Sequence, residues 1–394
     1  MKDLKASSSK RKLIVVKIGT SSLTCEDGSL NLSEVKRLVD QVAEAIKAEF
    51  RIVLVTSGAV ASGMAELGIK LNPNNIVFKQ ACAAVGQSIL ITRYREFFKE
   101  HGLKVAQILL TKEDLSNRTS YVHTCNVLDR LLQLDVIPIV NENDVTSMDE
   151  LKPTTKGYEV NFSDNDILSV LIANAIQADL VVLLSNVDGL YTMNPKEPEA
   201  KLISSVEKVT TELKMSVEGK SPLGRGGMKT KLQAAEIATK SGIPVVIVNS
   251  FKERILLDVL SNKPVGTWFK AVDKMPGLKK WIAYSASAKG QVVVNEGAEK
   301  AMVKGSSLLP IGIDEVSGQF DIGDVISLVD ESGKKFGRGI VNYSSHEINV
   351  IKGMKTSQAS KILGYIRQKE VITRKYFHLF EEKEDDDDRY RETG

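Results

Sequence analysis

One stretch of the chain reads Leu223-Gly224-Arg225-Gly226-Gly227-Met228-Lys229-Thr230-Lys231, and it runs directly into an alanine-rich segment, 232–238. Its three glycines lack a Cβ, so the backbone reaches positive φ angles and lets another group come close. The alanine-rich segment favours a helix. A glycine loop that opens a helix presents free N–H groups and the positive end of a dipole, which suits a phosphate. A surface turn before an amphipathic helix has the same pattern, and the chain contains no Walker motif, so other segments must decide.

Apolar runs and helical patterns alternate on both sides of this loop. Alternation of this kind predicts an α/β domain with a largely parallel sheet and helices on both faces. The predicted strands are 12–17, 51–56, 104–111, 136–140, 179–184 and 243–248, and the predicted helices are 31–49, 77–100, 120–134 and 163–176.

Polar clusters follow four of the predicted strands, after Val16, Thr56, Val140 and Leu184. Open α/β sheets bind ligands at the carboxyl ends of their strands. Four clusters that point to one edge outweigh any single motif, so we expect a ligand site there.

Two lysines lie at glycine-containing segments, Lys17 at the turn after the first predicted strand and Lys231 on the glycine loop. Phosphoryl transfer needs positioning and neutralisation of the charge that spreads over the transferred group. Two lysines from different strands suit that task, and Asp166 at a predicted helix start can hold them by ion pairing. An ordinary helix cap is the alternative role for Asp166.

The sequence gives less information about the group that accepts the phosphoryl group, because no histidine or cysteine stands out as a base or nucleophile. The four histidines are scattered and none pairs at metal-ligand spacing. A carboxylate acceptor needs no general base, since a carboxyl group with a pKa near ~4.3 is already ionised at neutral pH. The inventory is compatible with a kinase that forms an acyl phosphate.

Composition indicates an ordinary globular protein of 394 residues, with 42% hydrophobic and 26% charged residues. The net charge of +3 is too small to indicate nucleic-acid binding. Three widely spaced cysteines fit neither a disulfide framework nor a zinc site, so we expect reduced, cytoplasmic thiols. The polar start has no apolar h-region of a secretory signal. No apolar run approaches the ~20 residues of a membrane span.

The pattern changes near residue 271, where Met275-Pro276-Gly277 indicates a linker. Short strand-like runs follow at 291–294, 324–329 and 347–351, with helical signal at 296–304 and 357–363. They predict a small β-barrel domain. The predicted organisation is a disordered N-terminus (1–11), an α/β domain (12–270), a linker (271–280), a small domain (281–373) and an acidic disordered tail (374–394).

The assembled motifs resemble the glutamate 5-kinase family. They include Val15–Ser22, Val55–Ala61, Ala84–Gln87, Pro138–Asp144, Asp164–Asp166, Gly224–Lys231 and Gly305–Pro310. The resemblance spans about residues 12 to 370, and the small domain looks like a PUA domain. It implies a three-layer α/β/α sandwich, the amino-acid kinase fold.

The resemblance also implies an activity, ATP-dependent phosphorylation of the γ-carboxylate of L-glutamate, the first step of proline synthesis. Mg²⁺ would accompany ATP, without a metal site of the protein's own. Feedback inhibition by proline, a homo-oligomer and a glutamyl-phosphate reductase partner are further expectations. The implied catalytic residues are Lys17, Lys231 and Asp166; the implied ATP site is Lys17, Gly19, Ser185, Asn186, Arg225, Gly226, Gly227, Met228, Lys229, Thr230 and Lys231; the implied glutamate site is Ser57, Gly58, Asp144 and Asn165.

The chain departs from the family pattern in three places. Ser185-Asn186 stands where the family usually has Thr-Asp, Arg225 replaces a threonine, and the segment 145–163 is longer than usual. Two alternatives stay open. One is another amino-acid kinase, acting on N-acetylglutamate, aspartate or a small phosphate. The other is an RNA-binding protein with a kinase-like scaffold, suggested by fifteen basic against ten acidic residues in 279–375.

Overall fold

The computed structural model describes residues 11–25, 29–69, 75–147, 165–215, 227–271, 276–364 and 368–380. They belong to two compact units, Met1–Met275 and Pro276–Gly394. Residues 1–10 of the predicted disordered N-terminus and residues 381–394 of the predicted acidic tail lie outside the described residues. No helix within the described ranges is long and apolar enough to cross a membrane.

The first unit alternates strands and helices, as the sequence predicts. The strands are β1 (Leu13–Ile18), β2 (Arg51–Val55), β3 (Lys104–Leu110), β4 (Val136–Glu142), β5 (Leu180–Ser185), β6 (Leu190–Tyr191), β7 (Leu202–Ile203), β8 (Ser205–Val206), β9 (Val245–Asn249) and β10 (Thr267–Phe269). The helices are α1 (Thr20–Leu23), α2 (Leu32–Lys47), α3 (Ala59–Leu67), α4 (Ile76–Glu100), α5 (Lys112–Ser116), α6 (Arg118–Gln133), α7 (Asn165–Ile176), α8 (Thr211–Met215), α9 (Met228–Lys240) and α10 (Ile255–Leu260).

Eight strands form one sheet in the order β3-β4-β2-β1-β5-β9-β10-β8. The strands from β3 to β9 pair in parallel, and β10 runs antiparallel to β9. Val15 at the centre pairs with Val53 on one side and Val181 on the other. Strands β1 and β5 are buried along their whole length, which explains their unbroken Val/Ile/Leu runs.

Helices cover both faces of this sheet. Alternate β1 residues Ile14, Val16 and Ile18 share a core cluster with α2, α4 and α10. On the opposite face α7 packs against β1, β5, α6 and α9. The three-layer α/β/α sandwich that the resemblance implies is therefore confirmed.

Helices α3 and α4 approach each other so closely that only glycine fits at their crossing. A Cβ on Gly86 would lie 1.8 Å from the Ala59 carbonyl oxygen, and one on Gly63 would lie 1.8 Å from the Cys82 carbonyl oxygen. Both obstacles are backbone atoms, so no rotamer change relieves them. This glycine pair fixes the first half of α4 above the carboxyl end of β2.

The second unit is rich in strands and has its own core. Its elements are α11 (Gly277–Lys280), a π-helical turn (Trp281–Ser285), β11 (Gly290–Val294), α12 (Glu296–Val303), a 3₁₀ turn (Pro310–Gly312), β12 (Ile313–Gly318), β13 (Val325–Val329), β14 (Lys335–Val341), α13 (Ser345–Ile351), α14 (Thr356–Leu363) and β15 (Ile372–Leu379). The five strands pair in the order β12-β11-β13-β14-β15. The small strand-rich domain that the sequence predicts is therefore confirmed.

Three sequence predictions about this unit need correction. Residues 347–351 form a helix and not a strand, because Ser344 and Glu347 make a reciprocal capping box and Ile348 and Ile351 bury one helical face. The predicted boundary at residue 374 falls inside β15, which pairs with β14. The predicted linker includes the helix α11.

Candidate active site

A buried carboxylate holds two buried lysines at the centre of the sheet edge. Lys17 lies near the carboxyl end of β1, Lys231 in the first turn of α9, and Asp166 in the first turn of α7. Lys17 Nζ lies 2.6 Å from Asp166 Oδ1, and Lys231 Nζ lies 2.9 Å from Asp166 Oδ2. The two lysines are 5% and 6% exposed and Asp166 is fully buried. The structure thus brings the three predicted catalytic residues together, with Asp166 in an ion pair with each lysine.

The charge state of Asp166 follows from its two partners. Burial alone would raise the pKa of this carboxyl group, but the adjacent Lys17 and Lys231 ammonium groups outweigh burial and hold the pKa below its ordinary value. Asp166 is therefore ionised at neutral pH. Thr230 adds a hydroxyl that donates to Asp166 Oδ2 at 3.3 Å and to the Gly227 carbonyl at 2.9 Å.

Asn165, next to Asp166, organises the neighbouring polar groups through its amide nitrogen. Asn165 Nδ2 donates to Ser57 Oγ and to the Thr56 carbonyl, both at 2.8 Å, and to Asn141 Oδ1 at 3.1 Å. Asn141 in turn donates to Gln87 Oε1 at 2.8 Å. This network ties the ends of β2, β4 and α7 to one face of α4.

A pair of buried hydroxyl groups, one after β2 and one on α4, lies beside the network. Thr56 Oγ1 and the Tyr94 hydroxyl lie 2.9 Å apart, and both residues are fully buried. Burial raises the pKa of Tyr94 to about 12, although the hydrogen bond with Thr56 partly opposes this. The Tyr94 hydroxyl therefore stays protonated at any physiological pH.

The predicted substrate residues surround the ends of β2 and β4. Ser57 and Gly58 follow β2, and Gly58 has a φ of 101°, which an L side chain rarely adopts. Asp144 follows β4 and lines a pocket that adjoins this network. We call it the α4 pocket; its lining residues are Val60, Ile76, Lys79, Gln80, Glu142, Asp144 and Ser147.

The predicted nucleotide residues lie on the other side of β1, at the ends of β5 and α9. Ser185 is buried, and its carbonyl accepts hydrogen bonds from Ser250 N at 2.7 Å and from Ser250 Oγ at 3.0 Å. Asn186 next to it is exposed. Gly19 follows β1, and a Cβ there would lie 3.5 Å from Lys17 Nζ.

The glycine loop is described from Gly227 onward. Gly227 precedes the first turn of α9, which contains Met228, Lys229, Thr230 and Lys231, and Lys229 is exposed. A 13-residue helix begins here, so its N-terminal N–H groups and dipole favour an anion at this end. Arg225 and Gly226 lie outside the described residues.

The described residues contain no cluster of three or more His, Cys, Asp or Glu side chains placed to hold a metal ion. Asp166, the carboxylate at the centre of the site, is already engaged by two lysines.

Sequence reasoning did not find Tyr94 or Lys79, and it did not assign a role to Gln87. Their positions in the site depend on how α4 crosses the sheet edge. A local sequence pattern does not predict such a crossing. The small residues in 59–63 and 81–86 were the available signal, because two such segments permit a close helix crossing.

Comparison with known proteins shows the family of the chain. The sequence profile described as Amino acid kinase family matches residues 12–249, and the PUA domain profile matches residues 290–363. The chain is 42% identical over 375 residues to the glutamate 5-kinase of a Thermoanaerobacter species, covering 94% of this chain and 98% of that protein. It is also 42% identical over 374 residues to a Thermus thermophilus glutamate 5-kinase, with the same coverage.

Solved structures give a weaker likeness. UMP kinase from Ureaplasma parvum covers 66% of this chain and 99% of its own at 17% identity, with a TM-score of 0.44. A likeness at this level carries no argument about substrate. The glutamate 5-kinases do carry an argument about substrate, since their similarity extends over both units of the chain. The chain therefore belongs to the amino acid kinase family, in its glutamate 5-kinase branch, and carries a PUA domain.

Proposed function

We propose that the chain phosphorylates the γ-carboxylate of L-glutamate with ATP and forms γ-glutamyl 5-phosphate, the first step of proline biosynthesis from glutamate. The observation that carries this proposal is the pair of buried lysines held by Asp166 at the middle of the sheet edge. The 42% sequence identity to glutamate 5-kinases, over 94% of this chain and 98% of those proteins, supports the choice of substrate.

The strand order distributes the reaction along the sheet edge. Strands β4 and β2 supply Asp144, Ser57 and Gly58 on one side, and β5 supplies Ser185 and Asn186 on the other, with β1 between them. Glutamate therefore binds over β2 and β4 and ATP over β5 and α9. Their reacting groups meet above Lys17.

Phosphoryl transfer in this arrangement needs charge neutralisation and alignment. An oxygen of the glutamate γ-carboxylate attacks the γ-phosphorus of ATP, the new O–P bond forms, and the bond to the β,γ-bridging oxygen breaks to release ADP. Lys17 and Lys231 neutralise the charge that develops on the transferred group and on ADP. Asp166 holds both ammonium groups in position and does not itself react.

The remaining residues bind and orient the substrates. Asp144 accepts the α-ammonium of glutamate, while Ser57, Gly58 and Asn165 fix the carboxylate end. Gly19 lets the phosphates approach Lys17, and the N-terminus of α9 with Lys229 and Thr230 binds them. Mg²⁺ bound to ATP supplies further neutralisation of phosphate charge.

A scaffold without activity is disfavoured by the burial of the site. Two lysines and a carboxylate at 6% exposure or less cost desolvation energy that apolar residues would avoid. Retention of such charges has a functional explanation in phosphoryl transfer. The RNA-binding alternative offers none for this unit.

An assay of ADP formation tests the proposal. The full chain with ATP, Mg²⁺ and L-glutamate should release ADP and yield 5-oxoproline as the acyl phosphate cyclises. N-acetylglutamate and aspartate should give little ADP in a parallel panel. ADP formation no greater than that of a Lys231→Ala variant would refute the proposal.

Regulation and assembly follow from the same family membership. We expect excess L-proline to inhibit ADP formation and the chain to form a homo-oligomer. Inhibition assays and sedimentation velocity test these two expectations. A glutamyl-phosphate reductase that consumes the labile product is the expected partner, and a coupled assay in which it raises reduced product above the 5-oxoproline yield would support it.

A further inference from the structure

We infer that Lys79 is a substrate-specificity residue that binds the α-carboxylate of glutamate, an inference that rests on the proposed function. Lys79 lines the α4 pocket together with Glu142 and Asp144, yet only 9% of it is exposed. A buried ammonium group is unfavourable unless anions surround it, and the carboxylates of Glu142 and Asp144 line the same pocket. The pocket therefore combines one cation with two anions.

The charges of glutamate match this combination. Glutamate carries an α-ammonium and an α-carboxylate at the end remote from its reacting γ-carboxylate. Asp144 and Glu142 offer the pocket negative charge for the ammonium. Of the described residues that line the α4 pocket, Lys79 alone carries a positive charge for the carboxylate.

Helix geometry directs Lys79 towards the site. Lys79, Ala83 and Gln87 are spaced four residues apart and so share one face of α4. Gln87 on this face accepts a hydrogen bond from Asn141, and Asn141 accepts one from Asn165. The face that carries Lys79 is therefore the face that contacts the substrate network.

The backbone around Lys79 is held in place on both sides. Asn75 caps α4 by accepting a hydrogen bond from Phe78 N at 2.9 Å, and Lys79 N donates to the Asn75 carbonyl at 3.2 Å. Gln80 donates to the Ser147 carbonyl at 3.1 Å, which ties this turn to the segment after β4. The turn of α4 that carries Lys79 is thus tied to the segment that follows Asp144, and both residues line the same pocket. Recognition of an amino-acid end requires positioning of this kind.

The test compares two substrates that differ only at the α-carboxylate, namely L-glutamate and its α-amide, L-isoglutamine. Three variants of the full chain are needed: Lys79→Met, Lys79→Arg and, as a matched control on the same helix, the exposed Lys99→Met. The kcat and KM of each variant are measured with both substrates at saturating ATP.

We expect K79M to lower kcat/KM for glutamate by about tenfold to a hundredfold, the effect of losing one charge-assisted hydrogen bond. The loss should appear mainly in KM, because the α-carboxylate lies away from the reacting atoms. The kcat/KM for isoglutamine should change by less than about threefold, K79R should recover part of the loss, and K99M should match the wild type.

A purely structural Lys79 gives a different result. K79M would then lower kcat/KM for both substrates by the same factor, and that outcome, or an unchanged glutamate KM, overturns the inference. Absence of ADP formation by the wild type with glutamate overturns the proposed function and the inference with it. A wild type that turns over glutamate separates the two failures.

Discussion

Replacing Asp166 by asparagine removes the one anion between two buried lysines and keeps the side chain's shape. The carboxylate now accepts from Lys17 at 2.6 Å and from Lys231 at 2.9 Å. An amide oxygen can accept from one ammonium group, but the amide nitrogen then faces the other. Both buried ion pairs are therefore lost, and the two lysine charges keep at most one neutral acceptor between them.

The cost of losing one partner of a buried pair is about 3–5 kcal/mol. For a unit of this size, each 1 kcal/mol lowers Tm by about 2–4 °C, so D166N should lower the Tm of the first unit by roughly 6–20 °C. Asp258→Asn is the matched control. Its ion pair with Lys263 is exposed, with side-chain exposures of 25% and 60%, so its loss should cost about 0–1 kcal/mol.

Function separates the electrostatic explanation from a general loss of fold. The two lysines of D166N lack their anion, so a non-hydrolysable ATP analogue should raise the Tm of D166N by more than it raises that of the wild type. Turnover should nevertheless fall by about a hundredfold or more, because the lysines are no longer aligned for transfer. Calorimetry with and without the analogue, followed by an ADP assay, measures both effects.

The sign of the pH dependence gives a further check. The folded-state pKa of Asp166 lies below its unfolded value, so its stabilising contribution is present above about pH 4 and is lost as pH falls further. The Tm difference between wild type and D166N should therefore shrink below pH 4. A D166N variant with Tm within 2 °C of wild type and kcat within threefold would refute the reasoning.

Three further substitutions test other parts of the site. Lys231→Ala should lower kcat by about a hundredfold to a thousandfold and weaken ATP binding by less than tenfold, as measured by single-turnover assays and calorimetric titration. Gly86→Ala should lower the free energy of unfolding by about 3 kcal/mol or more and raise the glutamate KM, because its Cβ would lie 1.8 Å from the Ala59 carbonyl oxygen. Urea denaturation measures the free energy of unfolding, and an unchanged value would contradict this expectation. Tyr94→Phe should cost about 1 kcal/mol. Since the folded-state pKa of Tyr94 is raised to about 12, the wild type should also lose stability between about pH 10 and 12, and Y94F should not.

The sequence predicted most of the first unit because its signals are local. Buried parallel strands appear as unbroken apolar runs, as in 13–18 and 180–185, and the helix from Ile76 to Glu100 differs from its predicted start by one residue. The secondary structure of the second unit was predicted less accurately. The run 347–351 contains β-branched residues that favour a strand, but the capping box of Ser344 and Glu347 starts a helix first.

The site was predictable to the extent that its residues lie at strand ends. Lys17 and Asp166 could be placed at one edge, and their ion pair could be anticipated from opposite charges near predicted turns. Gln87 and Tyr94 could not be placed, because they reach the site from the middle of a 25-residue helix. Their roles depend on the crossing of α3 and α4, which is a tertiary property.

The strand order sets the order of the proposed glutamate site, Lys17 and the proposed ATP site along the sheet edge. This order cannot be derived from the linear sequence. In chain order β5 is the strand after β4, but in the sheet β2 and β1 separate them. This insertion places Ser57 and Asp144 on one side of Lys17 and Ser185 on the other. In a sheet with β4 and β5 as neighbours, β1 would not separate them. Lys17 on β1 would then not lie between the proposed glutamate site and the proposed ATP site. The proposed role of Lys17 therefore depends on its place on the central strand β1, and its anion, Asp166, comes from the helix that packs directly on that strand.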